Sequence, residues 1–279
     1  MGTLYLVTTP IGNLEDITLR ALRILQEVDL IAAEDTRQTR KLLDRHGITT
    51  PTTSYFEHNK LAKLDRILDA LSGGDLAIVS EAGTPGISDP GLELVRSAVE
   101  AGVEVVPVPG PSAITAALAA SGLPTDRFVY LGFLPRKKGE RRHRLEWAAA
   151  LDCTLVAFEA PHRLLASLAD IREVLGNRQI VAAREITKRH EEIFRGSVSE
   201  VLARFEEHAP RGELTLVIAG AETVSWSTEQ VLGALAALRE DGLSGKEASV
   251  EVARSSGWSR SKVYDLWLQS RAEAAHGSR

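Results

Sequence analysis

The segment densest in residues able to do chemistry is Ser80–Gly91, Ser-Glu-Ala-Gly-Thr-Pro-Gly-Ile-Ser-Asp-Pro-Gly. Five of its twelve positions are Gly or Pro: Gly83, Pro85, Gly86, Pro90 and Gly91. Glycine lets a backbone approach a ligand closely, and proline stiffens the approach. A plain connection needs two or three such residues, whereas here Glu81, Thr84, Ser88 and Asp89 stand among five. Asp89 is also placed to cap a helix running on from Gly91. A second turn, Pro107-Val108-Pro109-Gly110-Pro111-Ser112-Ala113, puts Pro111 at a helix start and Ser112 where it can point into a crevice. A third is Thr8-Thr9-Pro10-Ile11-Gly12-Asn13. Each alone makes a turn. Three of them after strands of one sheet make a ligand crevice, because open α/β sheets bind ligands at the carboxyl ends of their strands.

Several chemistries are excluded by what is missing. There is no Gly-x-x-x-x-Gly-Lys-Ser/Thr, no Gly-x-Gly-x-x-Gly after the first strand and no Gly-x-Ser-x-Gly. The seven histidines lack metal-ligand spacing, and no metal is expected. The single cysteine, Cys153, lies in an apolar strand pattern and reads as a buried, inert thiol. With 33 basic and 38 acidic residues in 279, the net charge is −5, so no general nucleic-acid coat is implied, although a local basic patch is compatible. Such a patch exists at Pro135–Trp147: Arg136, Lys137, Lys138, Arg141, Arg142 and Arg144 outnumber Glu140 and Glu146. It reads either as a phosphate-binding surface or as a solvated helix face.

The elements that must position these residues alternate between apolar runs and helical spacings. Strands are expected at Leu4–Thr8, Leu30–Ala33, Leu76–Val79 and Val103–Val106, and helices at Ile17–Val28, Leu61–Leu71, Leu92–Ala101 and Ala113–Ala120. This is α/β alternation with a mainly parallel sheet. The pattern restarts with strands at Phe128–Phe133, Thr154–Phe158, Ile180–Ala183, Ile193–Arg195 and Leu214–Ile218, and helices at His143–Ala150, Leu164–Leu175 and Val201–Glu207. Two α/β lobes with mainly parallel or mixed sheets are expected, over 1–111 and 112–222, followed by a small helical domain over 223–279. That last unit reads as helices Glu229–Arg239, Glu247–Ser255 and Ser261–Gln269, with Ser259 as a cap and Trp258, Tyr264 and Trp267 in its own core. No run of about 20 apolar residues is present to span a membrane, and Met1–Val7 reads as a first strand rather than an export signal. The cytoplasm is the expected location.

The three turns, together with Ala33-Glu34-Asp35-Thr36-Arg37, Phe133-Leu134-Pro135, Glu159-Ala160-Pro161-His162-Arg163 and Arg184-Glu185-Ile186-Thr187-Lys188, resemble the tetrapyrrole-methylase superfamily over about residues 3–220. Within it they resemble the small-subunit ribosomal RNA methyltransferases that modify the 2′-oxygen of a cytidine. The resemblance implies a bilobal fold with S-adenosylmethionine between the lobes. It implies cofactor contacts from Pro10, Thr84, Ile87, Ser112 and Ala113, with Phe158, Ala160 and Leu214 closing the other side; Gly83, Ser88, Asp89 and Gly110 belong to the same turns. Gly83-Thr84-Pro85 departs from the Gly-Asp-Pro of many relatives, which shifts a contact to hydroxyl and backbone.

A ribose hydroxyl is a poor nucleophile, so a proton acceptor is needed. Asp35 or Glu81 is expected to accept the proton, with Arg37 and Lys188 holding RNA phosphate; Glu34 and Glu159 are further polar groups near the crevice. The basic run at Arg136–Arg144 is expected to bind 16S ribosomal RNA or the small subunit, assisted by Lys246, Arg254, Arg260, Lys262 and Arg271 of the helical unit. A homodimer is implied by the resemblance alone. Two alternatives stay open: a small-molecule tetrapyrrole methylase of the same fold, and a non-catalytic RNA-binding protein that keeps a nucleoside pocket.

Overall fold

The apolar runs Leu4–Val7 and Leu76–Val79 lie side by side inside one sheet, where both faces of each strand are covered. The computed structural model describes residues 2–56, 60–209, 211–221 and 226–276. Its first sheet is wholly parallel: β1 (Thr3–Val7), β2 (Leu30–Ala33), β3 (Thr52–Ser54), β4 (Leu76–Val79) and β5 (Glu104–Val108), in the order β3-β2-β4-β1-β5. Alternation along the strands divides the core. Val7, Ile31, Ala33, Ala77 and Val79 meet α1 (Leu19–Glu27) and α2 (Thr36–Arg45) on one face. Leu4, Ala32, Leu76 and Ile78 meet α3 (Lys60–Gly73) and α4 (Leu92–Glu100) on the other.

The second sheet is mixed, in the order β6-β7-β10-β8-β9, with β6 (Phe128–Phe133), β7 (Thr154–Glu159), β8 (Gln179–Arg184), β9 (Glu192–Ser197) and β10 (Leu214–Ile218). In it β6 and β7 run parallel, and the remaining pairs are antiparallel. Helices α6 (Lys138–Ala148), α7 (Leu164–Leu175) and α8 (Val198–Glu207) cover one face. Helix α5 (Ala113–Ser121) covers the other through Ala117 and Leu118, so the chain changes sheets at Pro109–Ser112.

Where the structure departs from the pattern reading, the cause is local. Strand β3 is three polar residues at a sheet edge, and α2 carries only Thr39, Leu42 and Leu43 inward. Neither offers an apolar run to read. Strand β5 extends through Pro107, which an edge strand tolerates because an absent N–H costs it no ladder bond. Cys153 is half-buried. Helix α6 begins at Lys138, before the expected His143, because its charged first turns bury one guanidinium. Arg141 is 4% exposed, with Nε 2.7 Å from Asp170 Oδ2 on α7 and Nη1 on the carbonyls of Pro135 and Arg136. Its expected place among RNA-binding residues is therefore corrected: it shares the inward face with Leu145 and Ala148, at helical spacing.

The chain divides into Met1–Gly220 and Ala221–Arg279. The expected boundary at 222/223 and the side chain of Arg271 lie outside the described residues. The second unit has α9 (Thr228–Glu240), α10 (Gly245–Ser256) and α11 (Arg260–His276), the first two opened by capping boxes at Ser227/Gln230 and Ser244/Glu247. Ser259 accepts from the Lys262 amide at the start of α11. Trp267 sits in its core and Trp258 packs beside it, donating from Nε1 to the Trp226 carbonyl; Tyr264 is half-buried outside that core. No helix among the described residues is long and apolar enough to cross a membrane.

Removing one partner of a buried ion pair strands the other charge. Arg141→Ala is expected to lower unfolding stability by about 3–5 kcal/mol. Replacing both members, Arg141→Met with Asp170→Leu, is expected to restore most of it. Denaturant titration of the three proteins checks this.

Candidate active site

Strands β4, β1 and β5 are neighbours in the first sheet, so the loops that follow them leave its carboxyl edge side by side. Backbone bonds lock these loops together. Thr9 and Gly83 exchange two hydrogen bonds of 2.9 and 3.0 Å, and the Thr9 hydroxyl donates to the Ser80 carbonyl. Thr8 and Thr84 hydroxyls meet at 3.3 Å. Gly110 lies against Thr8, where a Cβ would stand 3.0 Å from that of Thr8. Gly83 has φ +79°, which is open to glycine without strain. Ser88 holds φ +64° without being glycine, and its hydroxyl is 2.6 Å from the Tyr130 hydroxyl on β6.

Against these loops stand the ends of β7, β8 and β10. Phe158 meets Tyr130 and Phe133 edge-on, each at 5.3 Å between ring centres. Glu159, buried, accepts from the Ala160 amide at 2.8 Å, pairs with Arg163 at 2.8 Å and takes the Ser167 hydroxyl. The cleft enclosed by the two sides measures about 620 Å³, in the range of small-molecule sites.

The structure brings most of the expected residues to this one wall. Pro10, Gly83, Thr84, Ile87, Ser88 and Asp89 line it from the first sheet. Ser112 and Ala113 line it from the start of α5, and Phe158, Ala160 and Leu214 from the second sheet. Gly110 does not; it backs Thr8. Asp89 does not cap α4, whose N-cap is Gly91 without a side-chain bond, and Pro111 stands before the Ser112 N-cap of α5. Glu81 and Lys188 line the cleft, whereas Asp35 and Arg37 are outside its wall. Asp35 caps α2 through the amides of Gln38 and Arg37, which hold its carboxyl below the ordinary range, and a carboxylate so committed is a poor proton acceptor. Lys188 is committed too. Its Nζ lies 3.0 Å from both Glu185 and Glu213, and its stem covers Gly12, where a Cβ would come within 2.4 Å. Burial alone would lower its pKa, but the two carboxylates hold it above the ordinary value.

Wall residues that were not read from the sequence as site residues include the polar Gln38 and Lys41 on α2 and Glu213 before β10. The signal for the first two was an Asp followed by a short helix at a strand's carboxyl edge. The wall also carries an excess of carboxylates. Glu159 and Glu213 have cation partners, but Glu34, Glu81 and Asp89 stand together, with Glu34 accepting from the Glu81 amide at 3.0 Å. Burial, and then Glu34 close by, push the Asp89 carboxyl from 3.8 up to about 7. Among the described residues no group of His, Cys, Asp and Glu could hold a metal ion.

A carboxyl whose pKa is higher folded than unfolded favours the native state most at low pH. That contribution is complete below about 4 and is lost as pH rises through about 7. Asp89→Asn is therefore expected to lose this fall in stability, gaining on the native chain between pH 5 and 8. Denaturant midpoints at the two pH values measure it; parallel profiles would refute the raised pKa.

Residues 3–202 match the family of Tetrapyrrole (Corrin/Porphyrin) Methylases. The chain is 49% identical over 278 residues to the Ribosomal RNA small subunit methyltransferase I of Synechocystis sp., covering 98% of this chain and 100% of that protein. It is 51% identical over 223 residues to the protein of that name from Thermotoga maritima, covering 80% and 100%. With the one from Bacillus subtilis it shares 44% over 275 residues, covering 96% and 94%. Among solved structures it is similar in fold to uroporphyrin-III-C-methyltransferase from Thermus thermophilus (TM-score 0.55, 20% identity, 78% of this chain and 94% of that one). It is likewise similar to cobalt precorrin-4 methyltransferase, a cobalamin biosynthetic enzyme (TM-score 0.60, 18% identity, 78% and 94%). A two-sheet fold with its cleft between the carboxyl edges, and near full-length identity approaching one half, lead to one assignment: the chain belongs to the tetrapyrrole methylase family and, within it, to the ribosomal RNA small subunit methyltransferase I family.

Proposed function

We propose that the chain transfers the methyl group of S-adenosylmethionine to the ribose 2′-oxygen of a cytidine in 16S ribosomal RNA, within the cytoplasm and as a homodimer. The observation that carries this reading is the charge of the cleft. Among the described residues, its wall keeps Glu34, Glu81 and Asp89 without a cation partner, which suits a ligand bearing a sulfonium and an ammonium group. Ile11, Ile87, Ile114 and Phe158 offer apolar walls for an adenine ring, and the amides opening α5 offer donors for a carboxylate. When bound, S-adenosylmethionine supplies an already activated methyl carbon. The chain's residues then have to hold an acceptor hydroxyl in line and take its proton. Glu81 and Asp89 are the carboxylates assigned to that proton, since Asp35 is a helix cap. A pKa of about 7 suits Asp89 to a base at neutral pH.

An acidic cleft repels phosphate, so the RNA backbone belongs outside it, on the outward side of α6. Arg136 and Lys138 are exposed and, among the described residues, have no ion-pair partner. Lys137 pairs with Glu140 at 3.0 Å and Arg142 with Glu173 at 2.6 Å, both at the surface where phosphate can compete.

Labelled methyl is expected on a cytidine 2′-oxygen of small ribosomal subunits and not on a porphyrinoid offered instead. Glu81→Gln is expected to lower kcat by about 10²-fold or more. Neutralising Arg136, Lys138 and Arg142 together is expected to weaken RNA binding and to flatten log affinity against log salt by about 0.7 for each phosphate the chain no longer neutralises. Filter binding across salt, with methyl mapping, decides both; no methylated RNA would overturn the reading.

A further inference from the structure

On α6 the inward face is Arg141, Leu145 and Ala148; Trp147 lies four residues from His143 and three from Arg144, so these three share one flank of the helix. Trp147 is 59% exposed and Phe133, on the neighbouring strand, 53% exposed. Phe133 belongs to the main cleft, where it meets Phe158, so Trp147 is the large aromatic surface that this side of the helix leaves in water, and such surfaces mark contact sites. Together with Tyr130 and Leu131 of β6, the three helix residues line a second, shallower pocket of about 330 Å³. Its parts are held in place. Arg144 Nη1 donates to the Leu131 carbonyl at 3.0 Å, which fixes the guanidinium beside the strand. Tyr130 is tied by its hydroxyl to Ser88 and by its ring to Phe158. Ser88 and Phe158 both line the main cleft, so Tyr130 is a partition between the two pockets.

We propose that this shallow pocket binds an unpaired RNA base, stacked on Trp147 with its phosphate on Arg144, one partition away from the nucleotide that enters the cleft. The inference rests on the RNA reading above and extends it from charge to base stacking. Aromatic platforms beside a cation hold single strands without regard to sequence, because every base has a flat face. A second copy of this chain fits less well. A twofold contact centred here would set Arg144 and His143 against their own copies.

The test uses the full chain and a fluorescein-labelled single-stranded RNA, alone and annealed to its complement. Trp147→Ala is expected to weaken single-strand binding roughly tenfold, and Trp147→Phe to stay within about twofold of native. The annealed RNA, whose bases are already stacked, is expected to bind native chain and Trp147→Ala alike. With small ribosomal subunits, Trp147→Ala is expected to raise KM and leave kcat. Calorimetry with S-adenosylmethionine is expected to give native affinity, which shows the cleft intact. Equal single-strand affinities for native chain and Trp147→Ala would overturn the inference while the RNA reading stands. So would weaker binding matched by a change of oligomeric state in sedimentation, which would make the patch an interface between copies. If the native chain itself neither binds nor methylates RNA, the underlying reading falls and this one falls with it.

Discussion

Two backbone hydrogen bonds, exchanged between Thr9 and Gly83, set the geometry on which the cleft depends. They join the loops after β1 and β4 into a short extension of the sheet beyond its carboxyl edge. Because the bonds are made by backbone, they leave the side chains of Pro10, Thr84 and Ile87 free to form a wall. They also demand a residue at 83 that tolerates φ +79°. Gly110 completes the arrangement by letting the third loop lie on Thr8. The density of Gly and Pro in these segments is thus the cost of holding three loops rigid at one edge, where a ligand surface needs rigidity most.

Charge is partitioned around that edge. Inside, carboxylates outnumber cations: of the two lysines on the wall, Lys188 is neutralised by Glu185 and Glu213, and Lys41 donates to Gln38. Burial alone would raise the Glu185 carboxyl; the Glu213 amide and Lys188 more than offset it and hold it low. Outside, α6 presents its cations to water, save the one it commits to Asp170. A single helix therefore does two jobs by pitch alone: Arg141 fastens α6 to α7 from the buried side, while Arg142 meets Glu173 of α7 at the surface and Lys138 faces solvent. A methyl donor with a positive sulfur and an acceptor with a negative backbone call for such a division, since neither site attracts the other's ligand.

Much of this was legible in the chain. Strands covered on both faces must be apolar throughout, so β1, β4 and β10 announce themselves. The Pro- and Gly-rich turns announce the site, because their composition has no use in an ordinary connection. What escaped was whatever carries two meanings. An Asp after a strand and before Thr-Arg-Gln is both an acid at the carboxyl edge and a helix cap, and the backbone amides of Arg37 and Gln38 decide it. An Arg in a basic run is both a phosphate ligand and a core staple. At Arg141 the spacing to Leu145 and Ala148 carried the answer, but the run of charge concealed it. Strand β3 and helix α2 escaped because tertiary pairing, not local pattern, makes them.

The lobes share the site without sharing a sheet. Ser88 reaches across to Tyr130, and Lys188 reaches back over Gly12. Both reaches start from backbone in an unusual conformation: Ser88 at φ +64°, and Glu185 and Thr187, either side of Ile186, at +52° and +69°. Left-handed residues of this kind cost of order 1 kcal/mol each and persist where the surroundings over-determine them. Here the surroundings are the opposite lobe. The strain is thus located where the two sheets touch, and the contacts that hold it are the ones that fix the width of the cleft. A ligand gripped by both sides meets a cavity whose width is set beforehand, so its binding need not also order the loops that grip it.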